Sequence, residues 1–150
     1  MSVTVTQATV ADVPLITPLF NAYRMFYKQH SNLKAASAFI HARLVNNESV
    51  IFIAFDGGKA VGFTQLYPIF SSVGMQRTWL LNDLYVAEPA RSKGIAKALL
   101  DAAKEHGRQT GSRWLMLQTA TGNLAAQHVY ESNGWKKDND YYVYNYRLVA

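Results

Sequence analysis

Near the middle of this chain, two short apolar runs flank a turn that can take only a narrow range of shapes. Val50-Ile51-Phe52-Ile53-Ala54-Phe55 leads into Asp56-Gly57-Gly58-Lys59, and Ala60-Val61-Gly62-Phe63-Thr64-Gln65-Leu66-Tyr67 follows. Runs of this length, rich in β-branched and aromatic residues, read as strands, and Asp-Gly between them supplies the positive φ angles of a tight hairpin. A further strand, Trp79 to Val86, is reached through Ser71-Ser72-Val73-Gly74. Three consecutive antiparallel strands are therefore predicted, with faces that must be covered by what lies on either side.

Those flanking segments carry a helical period. Val13, Ile16, Leu19, Phe20, Tyr23, Phe26 and Tyr27 recur at three- and four-residue steps, predicting a helix from about Val10 to Lys28. Pro14 suits its first turn, whereas Pro18 removes a backbone donor and predicts a kink or break. A second helix is expected over Leu33 to Asn46, with Phe39, Ile40 and Leu44 apolar. Before them, Val3, Val5 and Gln7 alternate with Thr4 and Thr6 as a short strand, and Thr9 offers a cap. After Pro89, Ile95, Leu99, Ala102, Ala103 and His106 share a helical face. Trp114 to Thr119 then reads as a strand, Asn123 to Ser132 as a helix stopped at Asn133-Gly134, and Tyr141 to Val149 as a last strand. The predicted fold is α/β: one domain spanning 1–150, built on a mixed, mostly antiparallel central sheet with helices on both faces.

Several functions are excluded by what the chain lacks. It has no cysteine, which removes thiolate nucleophiles, disulfide frameworks and cysteine-ligated metals. No stretch approaches the ~20 apolar residues of a membrane span, and the start is neither basic nor apolar, so a cytoplasmic location is expected. His30, His41 and His106 have no convergent partners in sequence, and no His-Glu-x-x-His, Gly-x-Ser-x-Gly, Gly-x-Gly-x-x-Gly or complete P-loop signature is present. No resident metal is expected. The net charge of +5 comes from scattered basic residues rather than a nucleic-acid-binding stripe.

The densest basic run lies beside a glycine, in Asn82-Asp83-Leu84-Tyr85-Val86-Ala87-Glu88-Pro89-Ala90-Arg91-Ser92-Lys93-Gly94-Ile95-Ala96-Lys97. This places a strand, a tight turn and a helix start in succession. Amides at a helix start lack internal partners and point, with the positive end of the helix dipole, at any bound anion. A bulky residue at Gly94 or Ala96 would hold phosphate oxygens away from those amides. The same segment also fits an ordinary strand-to-helix turn with exposed basic residues.

Arg91-Ser92-Lys93-Gly94-Ile95-Ala96 matches the Gln/Arg-x-x-Gly-x-Gly/Ala signature of the GCN5-related N-acetyltransferase superfamily, which the chain resembles along essentially its whole length. A second family motif follows in order: Trp114 to Thr119, then Asn123-x-x-Ala126-x-x-x-Tyr130-x-x-x-Gly134-Trp135. The nearest branches are the histone/amino-acid and the diamine acetyltransferases. The resemblance implies a sheet splayed between its fourth and fifth strands and acetyl-coenzyme A as cofactor. It implies that Leu84, Tyr85 and Val86 lend backbone groups to the pantetheine arm, and that the amides from Arg91 through Ser92, Lys93, Gly94 and Ile95 to Ala96 hold the pyrophosphate. Ala96 stands where glycine is commonest in the family.

Tyr130, by the same resemblance, donates a proton to the departing sulfur, and a phenol with a reference pKa of ~10 can do so near neutrality. Outside that context it reads as a core aromatic. Asn123 reads both as a helix cap and, by resemblance, as a cofactor-side contact. An amine of pKa ~10.4 must lose a proton before it can attack. Asn82-Asp83 stands where diamine acetyltransferases carry an acidic pair. An amide is no base, which leaves Asp83, unless its side chain points into structure or solvent. His128 is turned by about 200° from Tyr130 on a helix and is expected to face away. Tyr23, Phe26, Tyr27, Tyr141, Tyr142, Tyr144 and Tyr146 serve packing, an acceptor pocket or a homodimer contact. The expected reaction is acetyl transfer to a primary amine of a small molecule, such as a polyamine or amino acid. A protein lysine as acceptor, and a non-catalytic acetyl-coenzyme A sensor, are the alternatives.

Overall fold

The computed structural model describes residues 2–150, which fall into two compact units, one reaching Gln118 and the other running from Thr119 to Ala150. In the first, β1 (Val3–Gln7), β2 (Val50–Asp56), β3 (Lys59–Ser71), β4 (Gln76–Val86) and β5 (Leu115–Met116) form one sheet in chain order. The first three pairings are antiparallel and β4 with β5 is parallel. The Asp-Gly hairpin forms as expected, with Gly57 and Gly58 at φ 59° and 85°.

Helices cover both faces. Helices α1 (Val13–Phe26) and α2 (Leu33–Val45) bury Ile16, Phe20 and Ile40 against Ile51, Ile53 and Phe63. Helix α3 (Ile95–Gln109) buries Ile95 and Leu99 on the other side, against Ala54 and Val61. Each fully buried Ile or Leu contributes about 1.5–3 kcal/mol relative to exposure. Strand β4 and helix α3 both crowd Gly62 of β3: a methyl group added there would sit 2.9 Å from the Tyr85 carbonyl oxygen of β4 and 3.3 Å from Leu99 Cδ1 of α3. No helix among the described residues is long and apolar enough to cross a membrane.

Three expectations are corrected. Pro18 does not break α1, because Pro14 and Pro18 are exposed, so the carbonyl left without an intrahelical donor can turn to water. The neighbouring Val13 carbonyl gains the Thr17 hydroxyl at 2.8 Å, and buried Ile16, Leu19 and Phe20 hold the helix down. The strand expected over Trp114 to Thr119 is only Leu115–Met116. The strand expected over Tyr141 to Val149 does not form: the second unit holds no other strand to satisfy its ladder, and Tyr142 and Tyr144 are each 89% exposed.

The second unit is organised by α4 (Leu124–Ser132). The Asn123 side chain accepts from the Ala126 amide at 3.1 Å, the capping role its position suggested. At the other end Gly134 takes φ 90°, the Trp135 amide donates to the Tyr130 carbonyl at 3.0 Å, and the Gly134 amide donates to the Glu131 carbonyl at 3.2 Å. This double closure ends a helix with a left-handed residue and usually brings an apolar contact between the two residues it joins. Here that contact is Tyr130 with Trp135, ring centroids 6.3 Å apart.

Candidate active site

The hydrogen-bonded ladder between β4 and β5 covers only Trp79↔Leu115 and Leu80↔Met116, reinforced by the Thr78 hydroxyl donating to the Trp114 carbonyl. From Leu81 to Val86, β4 has no β5 partner among the described residues. This is the splay expected between the fourth and fifth strands. It leaves one edge of Leu84, Tyr85 and Val86 free to pair with an extended, amide-bearing ligand.

At the end of that edge the chain makes a short turn, Glu88–Ala90, and then enters α3 through two left-handed residues, Ser92 at φ 64° and Gly94 at φ 78°. A serine in this region is strained, a conformation that recurs at ligand sites. Among the described residues no backbone carbonyl accepts from the amides of Ser92, Lys93 or Gly94. Ile95 and Ala96 open the helix, where amides have no intrahelical acceptor. A Cβ built at Gly94 meets nothing within 4 Å, so the space beside the turn at this residue is open. Arg91 is tied back to the strand: its Nε donates to the Val86 carbonyl at 2.9 Å, and its guanidinium lies 5.6 Å from the centre of the Tyr85 ring. The turn is thus anchored to the open edge and fits a pyrophosphate by charge and by donor supply.

On the α1 side of the sheet, Asp83 points into the structure and is 2% exposed. A bulge explains its setting. Gln65 pairs with Asp83 but Leu66 pairs with Leu81, so Asn82 is the extra residue on β4. The Tyr23 hydroxyl donates to the Asn82 carbonyl at 3.2 Å, and the exposed Asn82 side chain donates from Nδ2 to Asp83 Oδ1 at 2.7 Å. Burial pushes the Asp83 carboxyl above the usual range, against the lowering pull of hydrogen bonds from Asn82, Gln65 and Tyr23. On β3, burial and the Asp83 charge push the Tyr67 phenol up to about 12, while Arg43 pulls it down. Tyr23 also meets Tyr27 and Tyr85, ring centroids 5.1 and 6.3 Å away.

Two members of this cluster, Gln65 and Ser49, escaped the sequence reading. Gln65 carried a signal: it stands among the apolar residues of β3 on the same face as Phe63, and a polar side chain there needs a partner. Ser49 carried none. Tyr130 and Asn123 lie in the second unit, on the last turn and at the cap of α4. His128 is exposed and Tyr130 half-buried, in keeping with their opposed directions.

A five-stranded mixed sheet with one edge released beside a helix start is the arrangement that the comparisons place among acyl-group transferases. Residues 16–135 match the Acetyltransferase (GNAT) family. The "Uncharacterized N-acetyltransferase YhfO" of Bacillus subtilis is 49% identical over 144 residues, covering 96% of this chain and 97% of its own. A solved structure of a probable acetyltransferase is 39% identical, with a TM-score of 0.93 over 98% of this chain and 99% of its own. An aminoglycoside N-acetyltransferase solved in complex with CoA shares the fold at a TM-score of 0.81 and 21% identity, over 98% and 96% of the two chains. The chain belongs to the GNAT family of acetyltransferases, enzymes that use acetyl-coenzyme A.

Proposed function

We propose that this protein carries an acetyl group from acetyl-coenzyme A to the primary amine of a small molecule, both bound at once, and that its two units act as one domain. The left-handed turn at Ser92 and Gly94, opening onto α3 beside the free edge of β4, is the observation that carries the reading. Arg91, Ser92, Lys93, Gly94, Ile95 and Ala96 would hold the pyrophosphate, and Leu84, Tyr85 and Val86 the pantetheine arm. Asn123, besides capping α4, would contribute on the cofactor side. The bound thioester supplies an activated carbonyl carbon for direct attack by a neutral amine.

The chain's own residues manage the protons. Asp83, whose carboxyl is buried, takes one from the acceptor ammonium through water and later returns it to solvent, and the second nitrogen proton leaves to solvent from the tetrahedral adduct as the sulfur departs. A carboxylate whose proton affinity is raised by burial suits this better than an ordinary aspartate, because its strength lies closer to the working pH. Tyr130 gives its phenolic proton to the departing sulfur and is reprotonated from solvent. Its position is fixed by the closure around Gly134, which engages both its carbonyl and its ring. Tyr23, Tyr27 and Tyr85 offer ring faces that attract an ammonium.

A cytoplasmic homodimer completes the proposal, its contact formed by the exposed tyrosines from Tyr141 to Tyr146. Sedimentation of the protein and of a variant with those tyrosines replaced by serine tests the assembly. The function is tested by coenzyme A thiol release across polyamines, amino acids, aminoglycosides and lysine peptides, with mass spectrometry locating the acetyl group. Amine-dependent release with acetyl on nitrogen is expected. Acetyl on a hydroxyl, or binding without release across the panel, overturns the reading.

A further inference from the structure

A polar relay runs through the sheet behind Asp83. Ser49, in the loop before β2, donates its hydroxyl to Gln65 Oε1 at 2.7 Å, and Gln65 Nε2 donates to Asp83 Oδ2 at 2.5 Å. Ser49 is 7% exposed and Gln65 is fully buried. Gln65 and Asp83 are also paired in the β3–β4 register, immediately beside the Asn82 bulge, so the backbone itself holds the two side chains opposite each other.

A carboxamide has two unlike ends, and its orientation in a buried site is set by what each end meets. With the Gln65 carbonyl committed to the Ser49 hydroxyl, only the NH₂ end can face Asp83. A donor aimed at a carboxyl oxygen favours the ionised form. We propose that Gln65 is a positioning residue for acetyl transfer, its amide oriented by Ser49 so that its NH₂ end holds Asp83 in place and favours the charged form that takes the acceptor's proton. The proposal rests on Asp83 being the proton acceptor, and it adds two residues to the site.

Two other donors also favour the charged form of this carboxyl, Asn82 more strongly than Gln65 and Tyr23 less so. Asn82 Nδ2 reaches Oδ1 from the exposed side of β4, and Tyr23 approaches from α1. Tyr67 on β3 feels the Asp83 charge, and Arg43 of α2 counters that charge at Tyr67. Among the described residues only Gln65 approaches the carboxyl from within the sheet with an orientation fixed by a further donor.

The test compares the parent with Gln65→Met, Ser49→Ala and Ser49→Thr. Two readouts are taken on each: the ¹³C chemical shift of the Asp83 carboxyl against pH, assigned by its loss in Asp83→Asn, and the pH dependence of kcat/KM. Gln65→Met keeps the volume and removes both hydrogen bonds. Ser49→Ala frees the amide to rotate, and Ser49→Thr keeps the hydroxyl.

The carboxyl midpoint and the acid limb of kcat/KM should both move to higher pH, by about one unit, in Gln65→Met and Ser49→Ala, and return toward the parent in Ser49→Thr. An unmoved carboxyl midpoint in Ser49→Ala, which lies outside the sheet and spares its packing, overturns the role of the relay whatever the rates do. A carboxyl midpoint that moves while the acid limb stays fixed overturns Asp83 as the proton acceptor, and with it the catalytic part of the proposal.

Discussion

Substituting Gly94 separates the cost of the turn from the function of the turn. Gly94 has φ 78°, a region that costs an L-residue about 1–2 kcal/mol. Because an added Cβ meets nothing within 4 Å, Gly94→Ala carries that conformational cost and no clash. Restriction of the unfolded chain returns about 0.4–1 kcal/mol, leaving a net loss near 1 kcal/mol and a Tm lowered by about 2–4 °C. Gly94→Glu should be destabilised by the same amount, since its extra atoms also extend into open space. The two variants should differ in what the turn binds. A carboxylate about 5 Å from one phosphate charge is repelled by roughly 3 kcal/mol at an effective dielectric of 20, before salt screening. Calorimetry with coenzyme A at low salt should therefore show Gly94→Glu binding on the order of 100-fold more weakly than Gly94→Ala, with the gap narrowing as salt is added. Pantetheine, which lacks the pyrophosphate, should not discriminate between them. Equal coenzyme A affinities for the two variants would refute the assignment of this turn to phosphate.

Tyr130→Phe should keep coenzyme A affinity and lower kcat by about 10²–10⁴-fold; a normal rate with chemistry limiting would remove it as the proton donor. Gly62→Ala should cost about 1–3 kcal/mol, because its methyl meets the Tyr85 carbonyl at 2.9 Å and β3 must part from its neighbours; denaturant unfolding with no change in midpoint would contradict this packing. His106 packs against Trp79 and Phe52, and burial first, then Arg77, hold it below the ordinary histidine range. Its folded form binds fewer protons than the unfolded chain, so its contribution is present above 6.5 and lost as pH falls through the folded value. His106→Leu should therefore flatten the acid side of the stability profile, and an unchanged profile would show that other groups control it. Asp83 has the opposite sign: its raised proton affinity favours the fold below 3.8, and that advantage is lost as pH rises through the folded value. Asp83→Asn should thus be more stable than the parent at pH 7 and lose that lead in acid, while kcat/KM falls. A variant less stable at pH 7 would contradict the burial cost.

What could be read from the sequence followed from how far each feature depends on its own neighbours. The Asp56-Gly57 hairpin, the Asn123 cap and the stop at Gly134 are decided within a few residues, and each forms where its residues put it. The helical faces of α1 and α3 were visible because a period of three to four apolar residues survives whatever it packs against. The misses occurred where a distant partner decides. Pro18 is tolerated because its exposed setting leaves the freed carbonyl to water, and the side of the helix it faces is set by the whole sheet. The aromatic alternation from Tyr141 to Tyr146 has the composition of a strand, yet a ladder needs a second strand that no local pattern supplies. The site divides in the same way. The turn from Arg91 to Ala96 is a continuous stretch of chain, and its left-handed residues and open amides follow from local chemistry. The setting of Asp83 depends on a bulge at Asn82, on Tyr23 far earlier in the chain, and on a glutamine and a serine brought to it only by the pairing of β3 with β4. Sequence spacing can nominate a carboxylate on a strand. Whether it is hydrated or buried, and which donors hold its charge, depends on register, and a shift of one residue would turn Gln65 to the opposite face and leave Asp83 buried without it.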